Sequence, residues 1–136
     1  MSILPGVGND VVDLKEPGNR GKSGDSRFLD RVFTPEERAL IAGAPCPDTL
    51  LWSFWAVKEA AYKSLSRDDP SVRSTPRRYR VFVHVERSCE IEEAGVKCRS
   101  IAGRVATPGG ELAFQVTVTD DYVHALTAAA ESDLKG

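Results

Sequence analysis

The stretch LWSFWAVKEAAYKSL, residues 51–65, decides the fold. No proline or glycine interrupts it, and Leu51, Ala56, Ala60, Ala61 and Leu65 are strong helix formers. Projected at ~100° per residue, Leu51, Phe54, Ala61 and Leu65 share one side, while Trp52, Trp55, Glu59, Tyr62 and Lys63 share another. A helix apolar on most sides is a buried central helix rather than a surface one. A carboxylate set into it must be paired, protonated or bound to a metal, because an isolated buried charge costs several kcal/mol or more. Glu59 and Lys63 are spaced to meet on one helical face, so a local salt bridge is the plain structural reading.

Outward from this helix, the chain before it reads as loops and short helices. Ile3–Leu14 has the valines of a short strand, interrupted by Gly6, Gly8 and Asn9, and carries Asp10. Lys15–Ser26 is polar and glycine-rich, a loop. Arg27–Phe33 predicts a short amphipathic helix with Phe28, Leu29 and Val32 inward. Thr34-Pro35-Glu36-Glu37 is a helix start, with Thr34 as N-cap and Glu37 completing a capping box. Gly43 and Pro45 stop that helix, and Asp48 is placed to cap the long one, which should run to about Arg67.

After the basic, proline-containing connection Asp68–Arg78 the period changes to two. Tyr79, Val81, Val83 and Val85 alternate with Arg80, Phe82, His84 and Glu86. Val96–Ala106 is a second strand. Pro108-Gly109-Gly110 turns into a third on Leu112, Phe114, Val116 and Val118, and Tyr122–Ala130 is a fourth before a tail, Glu131–Gly136. Helices first and antiparallel strands after them make an α+β fold, with the long central helix packed on one face of the sheet. The whole of 1–136 reads as one domain.

Composition bounds the function. The 41% apolar and 28% charged residues are those of an ordinary globular protein, and a net charge of -2 carries no nucleic-acid signature. Three cysteines without CxxC spacing and two histidines argue against a disulfide framework and a Cys/His zinc site. No apolar run approaches a membrane span, and the N-terminus lacks a signal pattern, so a cytoplasmic protein is expected.

Asp10 and Glu59 are the two carboxylates in glycine-rich or apolar surroundings. One or two carboxylates plus substrate phosphates and waters typically hold Mg2+, and a nearby lysine suits pyrophosphate chemistry. Three ordered blocks sharpen this: GNDVVDL (8–14), RFLDRVFTPEE (27–37) and FWAVKEAAYKSL (54–65). Together they resemble the 4'-phosphopantetheinyl transferases, in particular the short holo-acyl-carrier-protein synthase type, over Gly6 to Leu65.

The resemblance implies a 4'-phosphopantetheinyl transferase-like fold and a Mg2+ site made by Asp10 and Glu59. It implies transfer of phosphopantetheine from coenzyme A to a serine of an acidic acyl or peptidyl carrier protein of fatty-acid or polyketide synthesis. Glu59 would take the serine proton, directly or through a water. Lys63 would stabilise the departing phosphate, and Lys58 the same charge or the carrier's surface. Asp13 would be a supporting residue, or simply a strand-end cap. The chain departs from the family pattern in three places: no glycine pair in Ser64–Asp69, no histidine in Gln115–Thr119, and Phe54 where an arginine is common. His124 reads as a half-exposed strand residue.

Arg73, Arg77, Arg78 and Arg80 either compensate as contacts for the 3'-phosphate of coenzyme A or are plain surface. Lys15, Arg20, Lys22, Arg27 and Arg31 either steer an acidic carrier or form an ordinary mixed surface. The short synthases are commonly trimers with shared sites, so homotrimerisation is expected. Two competing readings are a degenerate, non-catalytic carrier-protein or coenzyme A-binding module and a metal-dependent nuclease.

Overall fold

The computed structural model describes residues 7–91 and 96–129. The expected strand residues Ile3–Gly6 and Ala130 and the tail Glu131–Gly136 lie outside them. Strand β1 (Gly8–Asp13) leads through two 3-10 turns (Pro17–Asn19 and Lys22–Gly24) into helix α1 (Ser26–Val32), helix α2 (Pro35–Ala42) and the long helix α3 (Pro47–Asp68). Strands β2 (Arg80–Ile91), β3 (Val96–Thr107), β4 (Gly110–Val118) and β5 (Tyr122–Ala129) follow. They form one antiparallel sheet in the order β1-β5-β4-β3-β2. The α+β architecture with a long helix on an antiparallel sheet is the expected one.

Helix α3 is buried along most of its length. Leu51, Phe54, Ala56, Val57, Ala60 and Ala61 are each at most 1% exposed. They form one core with Val105, Leu112, Phe114, Val116, Val123 and Ala125 from the sheet. The alternation along β4 is the predicted one, with Leu112, Phe114, Val116 and Val118 all buried. On the helix's other flank Trp52 and Trp55 pack on Phe28 of α1 at ring separations of 5.7 and 5.8 Å. The capping box at Thr34 forms as read, with Glu37 closing it.

Two local expectations fail. Asp48 does not cap α3, whose N-cap is Cys46 without a side-chain bond. Its carboxylate accepts instead from the backbone N–H groups of Gly21 (2.7 Å) and Ser23 (2.9 Å). The loop carries unpaired amides that reach Asp48, and Trp52 Nε1 donates to Asn19 O beside them. Val85 also leaves the predicted face. Val83 pairs with Gly103 but Val85 with Ala102, so a bulge at His84 turns Val85 to the outer face, 43% exposed. Gly103 makes room for the bulge, since a Cβ there would sit 1.9 Å from Phe82 O. Asp13 caps its own strand end, accepting from Lys15 N. Cys46 is a free, exposed thiol, while the side chains of Cys89 and Cys98 lie outside the description.

Candidate active site

Strand period brings Asp10 to the helix. Gly8, Asp10 and Val12 share the inner face of β1, and Asp10 stands opposite the buried Ala125. β1 is an edge strand, so this face meets α3 at the rim of the sheet, where solvent can enter. Gly8 lies so close to α3 that an added Cβ would be 2.0 Å from Ala60 O. That contact fixes the height at which Asp10 meets the helix.

Asp10 and Lys63 meet directly, with Lys63 Nζ 2.8 Å from Asp10 Oδ1. The Asp10 side chain is 15% exposed and that of Lys63 is 49% exposed. Among the described residues Lys63 forms its ion pair with Asp10, not with Glu59, so the simple helical salt bridge is not what the chain builds. Glu59 is half-buried beside them. Burial raises its pKa above the ordinary glutamate value; the negative charge of Asp10 adds to the rise and Lys63 opposes it. Two carboxylates that repel each other across a partly dry rim are a fit donor set for a hard dication, which removes the repulsion. No group of three or more His, Cys, Asp or Glu side chains suited to a metal occurs among the described residues. A Mg2+ held by one or two carboxylates typically keeps positions for phosphate and water.

Lys58 is placed elsewhere, which corrects its reading as a coenzyme A or carrier contact. It is 2% exposed and paired at 2.7 Å with Glu37, also 2% exposed. Its ammonium donates as well to the carbonyls of Pro76 and Tyr79. All three protons are spent inside the protein, so none is left for a ligand. Burial pushes Lys58 below the ordinary lysine range, against the pull of Glu37. The Glu37 carboxylate also accepts from Val81 N and Thr34 N. Its core role was hidden behind the capping box, which explains a glutamate at that position without any distant partner.

Arg73, Arg77, Arg78 and Arg80 are all exposed, and of these four Arg73 alone lines a hollow of about 610 Å³, together with Tyr62, Val72, Ser74 and Thr75. Tyr62, on the edge of this polar hollow, stands three residues after Glu59 on α3. Tyr79 Oη donates to Arg73 O at 3.2 Å and holds the hollow's wall. Arg77 and Arg78 lie on the 3-10 turn Pro76–Arg78, outside that lining.

A family model spans the strands and helices that carry these parts. The model of the 4'-phosphopantetheinyl transferase superfamily covers residues 6–127. The chain belongs to the 4'-phosphopantetheinyl transferase superfamily. Among curated members of this superfamily, it is 29% identical over 65 residues to the holo-[acyl-carrier-protein] synthase of Rhodopseudomonas palustris (strain BisA53), 48% of this chain and 47% of that one. It is 35% identical over 60 residues to the synthase of Protochlamydia amoebophila (strain UWE25), 44% and 49% of the two chains. It is 36% identical over 64 residues to that of Jannaschia sp. (strain CCS1), 46% and 42%. The chain spans about half the length of the curated relatives it matches. No helix among the described residues is long and apolar enough to cross a membrane.

Proposed function

We propose that this phosphopantetheinyl transferase family member acts as a holo-acyl-carrier-protein synthase. It would move 4'-phosphopantetheine from coenzyme A to a serine of an acidic acyl or peptidyl carrier protein, with Mg2+, in the cytoplasm, as one domain over 1–136. The observation that carries this reading is the convergence of Asp10, Glu59 and Lys63 at the open rim between β1 and α3. Mg2+ held by Asp10 and Glu59 would neutralise charge on the coenzyme A pyrophosphate.

The chain's own groups account for the remaining chemistry. Glu59, whose proton affinity is raised, suits the acceptance of the serine proton as the serine oxygen bonds to the phosphorus that carries pantetheine. The bond from that phosphorus to the adenosine 3',5'-bisphosphate oxygen breaks, and the electron pair leaves with the bisphosphate. Lys63, half-exposed on a flexible stem, can swing to the leaving phosphate. Arg73, beside the polar hollow, with Arg77 and Arg78 following, would hold the nucleotide phosphates of coenzyme A.

Arg20, Arg27 and Arg31 are exposed on α1 and the loop before it, whereas Lys15 and Lys22 are paired with Asp121 and Asp25. These three exposed arginines would meet the carrier. The outer sheet face exposes Val11, Tyr122 and Leu126 near one edge and Phe82 and Val85 at the other. That apolar face would be covered in a homotrimer, and light scattering at working concentration tests it. The function itself is tested by mass spectrometry of an apo carrier protein incubated with coenzyme A and Mg2+. Gain of one phosphopantetheine supports it. Coenzyme A binding without transfer would instead mark a non-catalytic module.

A further inference from the structure

We propose that Lys63 is a built-in counter-ion for Asp10, holding the place of the divalent cation until the metal displaces it and frees the lysine for the pyrophosphate. The inference rests on the reading of Asp10 and Glu59 as the metal site, and it concerns what this chain does before the metal arrives.

Lys63 has two acidic groups within reach and chooses the one across the gap. Its ammonium sits 2.8 Å from Asp10 Oδ1 and 3.5 Å from Asn9 O, so it lies over the end of β1. The Asp10 side chain is 15% exposed, and the lysine covers part of what remains open. Mg2+ bonds carboxylate oxygens at about 2.1 Å. A dication and an ammonium drawn to the same carboxylate repel each other and compete for its charge, so occupancy by one weakens occupancy by the other. Lys63 can yield cheaply, because its side chain is 49% exposed and such exposed ion pairs are weak. Its destination is set by the same geometry. One turn after Glu59 on a straight helix, the ammonium sweeps over the rim where the pyrophosphate would lie. The lysine thus offsets part of the repulsion between the two carboxylates while no metal is bound. It charges the metal a small affinity penalty in return.

Mn2+ serves as a paramagnetic probe of the site, titrated by electron paramagnetic resonance into the 136-residue chain without coenzyme A. Lys63→Met should bind Mn2+ roughly threefold or more tightly than the wild type, the scale set by an exposed ion pair. Lys63→Arg, which keeps the pair, should bind no more tightly than the wild type. Arg67→Met removes the same charge one turn further along α3 and serves as the control for long-range field; it should change affinity by less than half as much. The proposal is overturned if Lys63→Met leaves affinity unchanged or weaker, if Arg67→Met matches its gain, or if neither the wild type nor Lys63→Met binds. Asp10→Ala and Glu59→Ala separate the premise from the inference. If both bind Mn2+ like the wild type, the metal site itself is misassigned. If both lose binding while Lys63→Met shows no gain, only the counter-ion role fails.

Discussion

A Cβ on Gly8 would lie 2.0 Å from the carbonyl oxygen of Ala60, so the first strand touches the central helix backbone to backbone. Asp10 follows two residues later on the same face of β1, and Glu59 precedes Ala60 on α3. One glycine contact therefore brings the strand that carries Asp10 against the helix turn that carries Glu59. The site is assembled where strand and helix backbones meet rather than by a loop.

Gly8→Ala should force β1 and α3 apart, because the atom it meets is backbone and cannot swing away. A cost of ~3 kcal/mol, the upper end for overpacking, is expected. That lowers the melting temperature by roughly 10 °C in a chain of this size. Mg2+ should then no longer raise the melting temperature of the variant. A variant that melts like the wild type would contradict the contact.

Glu59 should be a stability liability when no metal is bound. Its folded pKa lies above the unfolded value, chiefly through burial and then through Asp10. In the window between the two values the folded state binds the extra proton, so stability falls as pH rises through it. Above the window the ionised carboxylate remains a fixed cost. Glu59→Gln should therefore melt above the metal-free wild type at neutral pH, and the gap should close below about pH 4. Thermal melts across that range check the sign; a variant less stable at neutral pH would refute it.

Lys58 and Glu37 form a unit. Lys58→Met leaves the Glu37 charge buried and should cost ~3–5 kcal/mol in urea unfolding. Glu37→Gln combined with Lys58→Met removes both charges and should cost clearly less than the sum of the single variants. Additive costs would show that the two residues act independently.

The sequence carried the fold through two periods, helical in 51–65 and alternating in 112–118, and both survive because each buries one continuous apolar face. It could not show the bulge at His84, since a bulge depends on a partner strand, and Gly103 is meaningful only once it faces Phe82. The motifs marked Asp10, Glu59 and Lys63 as the candidate site, and the fold brings these three residues together. The role of Lys58 was not, because adjacent positions on a helix differ by ~100° and a neighbour of Glu59 points into the core. Its partner Glu37 is distant in sequence, and no local pattern announces a buried pair.

Lys63→Met tests the phosphate role apart from stability. Its exposed pair with Asp10 is worth ~0.2–1 kcal/mol, so the melting temperature should barely move. Loss of an ammonium that meets a pyrophosphate should instead slow transfer about 100-fold or more. Lys63→Arg should recover only part of this, since a planar fork sits differently on phosphate. A loss below about fivefold would remove Lys63 from the chemistry.

The central claim is that Asp10 and Glu59, brought together at the rim of β1 and α3, drive phosphopantetheine transfer. Mass spectrometry of an apo acyl carrier protein, incubated with coenzyme A and Mg2+ and either wild-type chain, Asp10→Ala or Glu59→Ala, tests it most directly. One phosphopantetheine should be gained with the wild type and none with either variant, while circular dichroism shows all three folded. Transfer by either variant at the wild-type rate would contradict it.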